Sequence, residues 1–407
     1  MSSNPQPTTH NLQPPSAWIV PTVFWTYIML LVAGFALFCS PLARPEGGKT
    51  SMSFERVTFF TANAASLSGF QTSITPDSLP KPAQWMMLIL MTAGAMLSWV
   101  VGGHLVARAL RLPIGVRSIA TTSGVLLLAT TLIGGIVAKP GDLFPSIFRC
   151  LSALFNSGVW LGAAPGAHDR FTLTALLPLA IVGGVGITVL IELWRWPIDR
   201  RLSRHAVTTL AAIAGVYIVG GGLLLLSEWF CGAVSIANWR EQLAAASALS
   251  VNTRSAGLPM ELLNTLNRPT QWIAALLMIV GGGSGGAAGG LKVTTIAVLI
   301  VGIAQLFRGE RPTRVFAIAL AWLAAYLFLI GLTCWLLLGL VPEQSADRLL
   351  MLAISAVGNV GLSHDVLSAG GNDAYVLSAA MMAGRLLPLL VLWWLGRDTE
   401  RSEVVVA

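Results

Sequence analysis

The chain has 407 residues with 25 Lys+Arg and 18 Asp+Glu, so only 11% are charged; a soluble protein of this length carries roughly 100 charges. With 55% apolar residues, 41 Gly and four Cys, the composition excludes a disordered chain, a disulfide scaffold and an ordinary cytosolic enzyme. It points to a polytopic membrane protein, because soluble folds need charge on their surfaces.

Residues 1–16 (MSSNPQPTTHNLQPPS) are polar, uncharged and Pro-rich. They are expected to be a disordered tail, and they lack the basic n-region of a signal peptide. Beyond them, charge-free intervals predict eight spans, with cores near 17–39, 83–106, 118–138, 172–194, 206–229, 271–305, 315–340 and 374–396. The criterion is the run of about 20 apolar residues that a spanning helix needs. The sixth interval is too long for one simple span and contains GGGSGGAAGG.

Short loops set the orientation. Arg108–Arg117, Arg195–Arg204, Arg308–Arg314 and the tail with Arg397 and Arg401 gather twelve basic residues on one face. The opposite face spreads eleven over much longer connections. The positive-inside rule makes the dense face cytoplasmic and puts both termini there.

Each long outer connection holds a short, semi-apolar stretch ending in glycine. They read TFFTANAASLSG to Gly69, SIFRCLSALFNSG to Gly158, QLAAASALSVNTRSAG to Gly257 and RLLMLAISAVGNVG to Gly361. The glycines are 89, 99 and 104 residues apart, an internal period that implies repeated structure. The units are expected at 17–110, 111–204, 205–314 and 315–397, with a second tail at 398–407. The fold class is therefore an all-α integral membrane protein of four helix–half-helix–helix units around a pseudo-fourfold central pore.

A dozen helical residues cannot cross a bilayer, but they can dip in and return where protein or water shields the backbone. Four such half-helices would aim their partly negative C-termini at a common axis, which favours a cation. Extended backbone after each one supplies carbonyls that replace an ion's water shell.

These residues resemble the Trk/Ktr/HKT superfamily of potassium transporters, in particular the eight-span Ktr-type membrane subunit. Ser250-Val-Asn-Thr-Arg254-Ser-Ala-Gly257 is similar to SVxTRTAG, and Ser355-Ala-Val-Gly-Asn-Val-Gly361-Leu-Ser363 to SAFGTVGLS. Gly281 to Thr295 is similar to GGSPGSTAGGIKVTT, and Ala383-Gly384-Arg385-Leu-Leu-Pro-Leu389 to IGRVGPL. The resemblance implies K+ as the transported ion, with Na+ as an alternative, and one pathway per chain. It implies filter carbonyls at Ser66, Leu67, Ser68 and Gly69; at Phe155, Asn156, Ser157 and Gly158; at Arg254, Ser255, Ala256 and Gly257; and at Gly358, Asn359, Val360 and Gly361. A glycine at all four filter positions favours potassium. It further implies a homodimer in a bacterial cytoplasmic membrane and a separate cytosolic nucleotide-binding ring as partner.

Gly281, Gly282, Gly283, Ser284, Gly285, Gly286, Ala287, Ala288, Gly289 and Gly290 include seven glycines. Each costs about 1 kcal/mol of helix propensity relative to Ala, enough in sum to break the span. The resemblance implies that this intramembrane loop gates the filter. Lys292 and Arg385 are the basic residues within predicted spans, and each costs about 2.5–3.5 kcal/mol at a helix centre unless partnered. Arg385 is expected to donate to carbonyls of the loop and to set an electrostatic barrier. Lys292 either does the same or snorkels to the interface. The loop departs from the family pattern by Ser284 in place of Pro and by Gly286 and Ala287 in place of Ser-Thr.

Two other classes stay open on sequence: a secondary cation transporter and a non-conducting regulatory homologue. Proton coupling needs a mid-span carboxylate, and Glu192 and Glu228 sit instead at span ends. GGGSGG lacks the Lys-Ser/Thr of a phosphate loop. No enzyme activity, organic cofactor or nucleic-acid partner is predicted.

Overall fold

A computed structural model describes residues 18–43, 52–167, 169–232, 238–254, 258–260, 262–311 and 313–404, with backbone only for 395–404. The expected tail at 1–16 lies outside the described residues, as do Ser255, Ala256 and Gly257 of the third filter stretch.

The element order repeats. Long helix α1 (Ile19–Cys39) is followed by short α2 (Phe54–Ser66), then by α3 (Lys81–Met96), which runs through a π-helical stretch at Leu97–Gly102 into α4 (Gly103–Ala109). Next come α5 (Val116–Ile136), short α6 (Leu143–Leu154), α7 (Leu177–Val185) with a π-helical start at Thr172–Leu176, and α8 (Ile187–Asp199). The third set is α9 (Arg204–Phe230), short α10 (Trp239–Asn252), α11 (Arg268–Ile279) and α12 (Val293–Phe307). The last is α13 (Arg314–Leu340), short α14 (Ala346–Gly358) and α15 (Asp373–Val404).

Among the described residues, six helices are long and apolar enough to cross a membrane: α1, the continuous Lys81–Ala109, α5, α9, α13 and the Asp373–Trp394 part of α15. The leading helices α1, α5, α9 and α13 bury only 17–22% of their most apolar stretch, whereas Lys81–Ala109 buries 78%. Helices that are apolar all round yet exposed belong against lipid. The leading helices thus form the periphery, and the helix after the first short element lies inside. The short helices have 12 to 14 residues, about 20 Å at 1.5 Å per residue. That length falls short of a hydrocarbon core of about 30 Å.

One predicted element differs. The span expected at 172–194 is not straight: Thr172–Val185 and Ile187–Asp199 meet at 102°. Gly186 makes the corner at φ +109°, a conformation closed to residues with a Cβ. Helix α15 runs on to Val404, into the expected tail at 398–407. No Pro follows Pro388 to stop it.

Two large apolar clusters pack the interior. One joins the first two sets around Trp99, Leu154 and Phe155, and the other joins the last two around Met278, Tyr326 and Val357. The short helices α2 and α14 enter these clusters through small residues; Ala64, Ala65, Ala353 and Ala356 are fully buried.

Candidate ion pathway and gate

Three of the four glycine-ended stretches close their helices in the same way. Leu67 (φ 61°), Asn156 (φ 53°) and Asn359 (φ 51°) are left-handed, each two residues before a left-handed glycine: Gly69 (φ 75°), Gly158 (φ 70°) and Gly361 (φ 83°). The N–H of Leu67 donates to Ala64 O, that of Asn156 to Ala153 O and that of Asn359 to Ala356 O, at 3.0–3.3 Å. One residue on, Ser68 N, Ser157 N and Val360 N reach back to Asn63 O, Ser152 O and Ser355 O at 2.9–3.1 Å. This is the Schellman arrangement, which uses up last-turn carbonyls and turns the chain sharply.

Side chains tie each turn to its surroundings. Asn63 grips the residue after Gly69, donating to Phe70 O and accepting from Phe70 N. Asn252 holds Leu258 in the same two-bond clasp at 2.8 Å. Asn156 Nδ2 donates to Ala180 O on α7 at 2.7 Å, and Asn359 Nδ2 to Met381 O on α15 at 2.8 Å and Ser68 Oγ at 2.9 Å. Ser66 and Ser68 share a hydroxyl hydrogen bond of 2.8 Å.

The four stretches close into a ring. A Cβ on Gly69 would stand 2.1 Å from Ser157 O, and one on Gly361 would stand 2.0 Å from Ser68 O. The first stretch therefore meets the second and the fourth backbone to backbone. Past the turns, Ser73 N donates to Leu367 O and Leu367 N to Gln71 O, joining first to fourth again. Leu263 N donates to Ser363 O, joining third to fourth. Leu258 shares an apolar cluster with Ala153 and Trp160, which sets the third beside the second. Arg254, next to the undescribed Ser255–Gly257, turns its guanidinium toward α9, with Nη1 on Ile213 O at 3.0 Å.

The chain between α11 and α12 lies against this ring. Gly281 N donates to Leu291 O and Leu291 N to Ile279 O, both at 2.9 Å, closing the loop at its base. Its body threads the corner between α7 and α8. Gly283 N donates to Gly184 O at 2.8 Å, Ala287 N to Gly183 O at 2.9 Å, and Ile187 N back to Gly285 O at 3.2 Å. A Cβ on Gly283 would fall 1.9 Å from Val185 O, and one on Gly289 would fall 2.2 Å from Gly358 O at the end of α14. Ser284 Oγ shares a hydrogen bond of 2.8 Å with Thr294 Oγ1. That serine holds the loop to the start of α12.

Arg385, 5% exposed, spans both features. Its Nε donates to Ser66 O of the first stretch at 2.8 Å, and its Nη1 donates to Ala287 O of the loop and to Ser98 Oγ at 3.2 Å. Lys292 Nζ donates to Ala288 O of the same loop. Buried cations are stable only when such acceptors surround them. The carboxylate nearest the fourth turn in sequence, Asp365, accepts from His364 Nδ1 at 2.8 Å and Asn264 Nδ2 at 3.2 Å. The His364 hydrogen bond, first among several causes, holds that carboxyl below its ordinary pKa.

Residues that the sequence reading passed over complete the arrangement: Gly183, Gly184 and Gly186 as the loop's cradle, Ser98 beside Arg385, and Trp99, whose Nε1 donates to Gly183 O at 3.4 Å. The run Gly183-Gly-Val-Gly186 was a visible signal for a second break.

Four short helices inside a shell of long apolar helices, with a glycine-rich loop packed against their ends, define an all-helical membrane-protein fold. The fold matches that of the potassium transporter TrkH from Vibrio parahaemolyticus at a TM-score of 0.69, covering 96% of this chain and 86% of that one at 17% identity. In sequence the chain is 29% identical over 272 residues to the Ktr system potassium uptake protein B of Vibrio alginolyticus, 63% of this chain and 59% of that protein. The match thus spans less than two thirds of that relative's length. It is also 22% identical over 378 residues to the potassium/sodium uptake protein NtpJ of Enterococcus hirae, 83% of each chain. No family model matches. The chain is thus similar in sequence to potassium uptake proteins of the Ktr system and in fold to TrkH.

Proposed function

We propose that this chain is the membrane subunit of a potassium uptake system and passes K+ along the axis of the four short helices. The observation that carries this reading is the bridge made by Arg385, which binds the filter turn at Ser66 and the loop at Ala287 at once. One buried cation thus couples the ion path to the segment that obstructs it. Ser66–Gly69, Phe155–Gly158, Arg254–Gly257 and Gly358–Gly361 form the filter. Gly281–Gly290 is the gate, and Lys292 and Arg385 latch it. The C-terminal ends of α2, α6 and α14 meet at the ring, and their partial negative charge favours a cation there.

The four units at 17–110, 111–204, 205–314 and 315–397 serve as quadrants of one pore. The arginine-dense face is cytoplasmic, with both termini there and the chain in a bacterial inner membrane. Two copies form a homodimer, and the basic loops on that face meet a nucleotide-binding regulatory ring. The similarity to a potassium/sodium uptake protein supports Na+ as a second permeant ion.

Reconstituted vesicles with K+ and Na+ in competition test the reading. Wild type is expected to dissipate a K+ gradient passively, and Gly69→Ser to lose K+ preference. Arg385→Ala is expected to change flux at least tenfold. Strict stoichiometric coupling to a second ion, or Arg385→Ala with unaltered flux, overturns it.

A further inference from the structure

On the arginine-dense side of the loop lies a cavity of about 680 Å³ that is lined by the first, third and fourth sets of helices and by the loop itself. Its charged and titratable lining is Arg204, His205, Lys292, Arg314 and Arg385, and no Asp or Glu among the described residues lines it. Glu192, the carboxylate that acts on His205, is taken up by the N–H and hydroxyl of Ser203 at 2.7 and 2.9 Å. Two of the buried donors here, Arg385 Nη2 and His205 Nε2, have no hydrogen-bond partner among the described residues. Arg204 and Arg314 are exposed and begin α9 and α13, whose N-termini, capped by Ser203 and Thr313, add positive potential through the helix dipole.

This lining is the wrong sign for a cation path. Cationic side chains around a low-dielectric cavity focus a field that repels K+ and attracts an anion. Planar guanidinium forks suit the oxygens of a phosphate group in particular, and the cavity far exceeds a bare halide.

We propose that this vestibule binds a phosphate group, either free or on an anionic lipid, and that the bound group neutralises the vestibule so that cations can leave the gate. Arg204 and Arg314 take the phosphate oxygens at the mouth, and Arg385 and His205 supply the deeper donors. The consequence for flux rests on the reading of the axis as a cation path. Binding does not, so it is measured without transport.

Wild type and the double variant Arg204→Gln/Arg314→Gln are placed in phosphatidylcholine nanodiscs and titrated with radiolabelled inorganic phosphate. In a second arm, nanodiscs containing phosphatidylglycerol are dissolved and the lipid retained by the protein is counted by native mass spectrometry. Saturable phosphate binding weakened at least tenfold in the double variant supports the free anion. Phosphatidylglycerol retention that falls in the variant supports the lipid form. Arg204→Lys/Arg314→Lys, which keeps the charge and loses the fork, is expected to bind at an intermediate level and guards against a folding defect of the first variant. Absence of both kinds of binding in wild type, or binding equal in all three proteins, overturns the proposal.

Discussion

The inner helices of the second and third units are both broken, but by different means. Between α7 and α8 a single residue, Gly186, turns the chain by 102° and both flanking helices resume at once. Between α11 and α12 the break runs from Val280 to Lys292, thirteen residues, and is never helical. The two breaks interlock: the corner supplies carbonyls at Gly183 and Gly184, and the loop supplies N–H groups at Ala287 and Gly283. Each satisfies backbone that the other exposes, a strict need inside a membrane. A sharp corner makes a rigid cradle; a long Gly-rich break makes a segment able to leave it.

Breaking the interlock from the loop side should have the largest effect. Gly283→Ala puts a Cβ 1.9 Å from Val185 O, a backbone atom that cannot swing aside. A destabilisation on the order of 4 kcal/mol is expected, at the extreme of single-residue effects, read as a lower thermal midpoint in detergent and loss of regulated flux. From the corner side, Gly186→Ala meets Ser284 O at 2.5 Å and must hold φ +109°. Backbone strain of about 1–3 kcal/mol is expected, and protease cleavage within 281–290 should rise as the cradle loosens.

Ser284→Ala leaves the cradle whole and removes only the hydroxyl bond to Thr294. A cost of about 1 kcal/mol on the docked loop corresponds to about a fivefold rise in its undocked fraction. Single-channel or vesicle flux should rise accordingly with the thermal midpoint nearly unchanged. The smallest effect is expected outside both breaks. Gly331, inside α13, has nothing within 4 Å of its missing Cβ, so Gly331→Ala should stabilise by up to about 1 kcal/mol and leave flux alone. Equal damage from Gly331→Ala and Gly186→Ala would remove the distinction between glycines that interlock and glycines that merely fill a helix.

Much of the architecture was legible because it is written in periodic signals. Charge-free runs mark the long helices α1, α5, α9 and α13, whose environment is lipid and whose pattern is therefore uniform. Four short stretches ending at Gly69, Gly158, Gly257 and Gly361 mark the half-helices, since their length alone bars them from crossing. The loop at 281–290 is legible because seven glycines override helix propensity without help from context. Gly186 was legible only in part. The run Gly183-Gly-Val-Gly186 signals a weak point in an apolar span but is also compatible with a straight helix, and the corner exists because Gly283 and Ala287 dock against the carbonyls it frees.

The partners of Arg385 divide in the same way. A lone buried cation announces that acceptors must surround it, and the nearby glycine run offers carbonyls, so the link to the loop follows from sequence and electrostatics. Its simultaneous bonds to Ser66 O and Ser98 Oγ join residues 319 and 287 positions away, and no local pattern encodes such a meeting.

Scarce charge and its spacing, acting through the cost of placing polar groups in hydrocarbon, determined on their own that this is a helical membrane protein with four half-helices, a glycine break and two cations in its spans. Tertiary structure decided which groups meet: the glycine-ended turns against one another, the loop in the Gly183–Gly186 corner, and the basic side chains around the cavity. Those are pairings between distant segments, fixed by packing after the helices have formed, and the burial that makes them obligatory exists only in the folded chain.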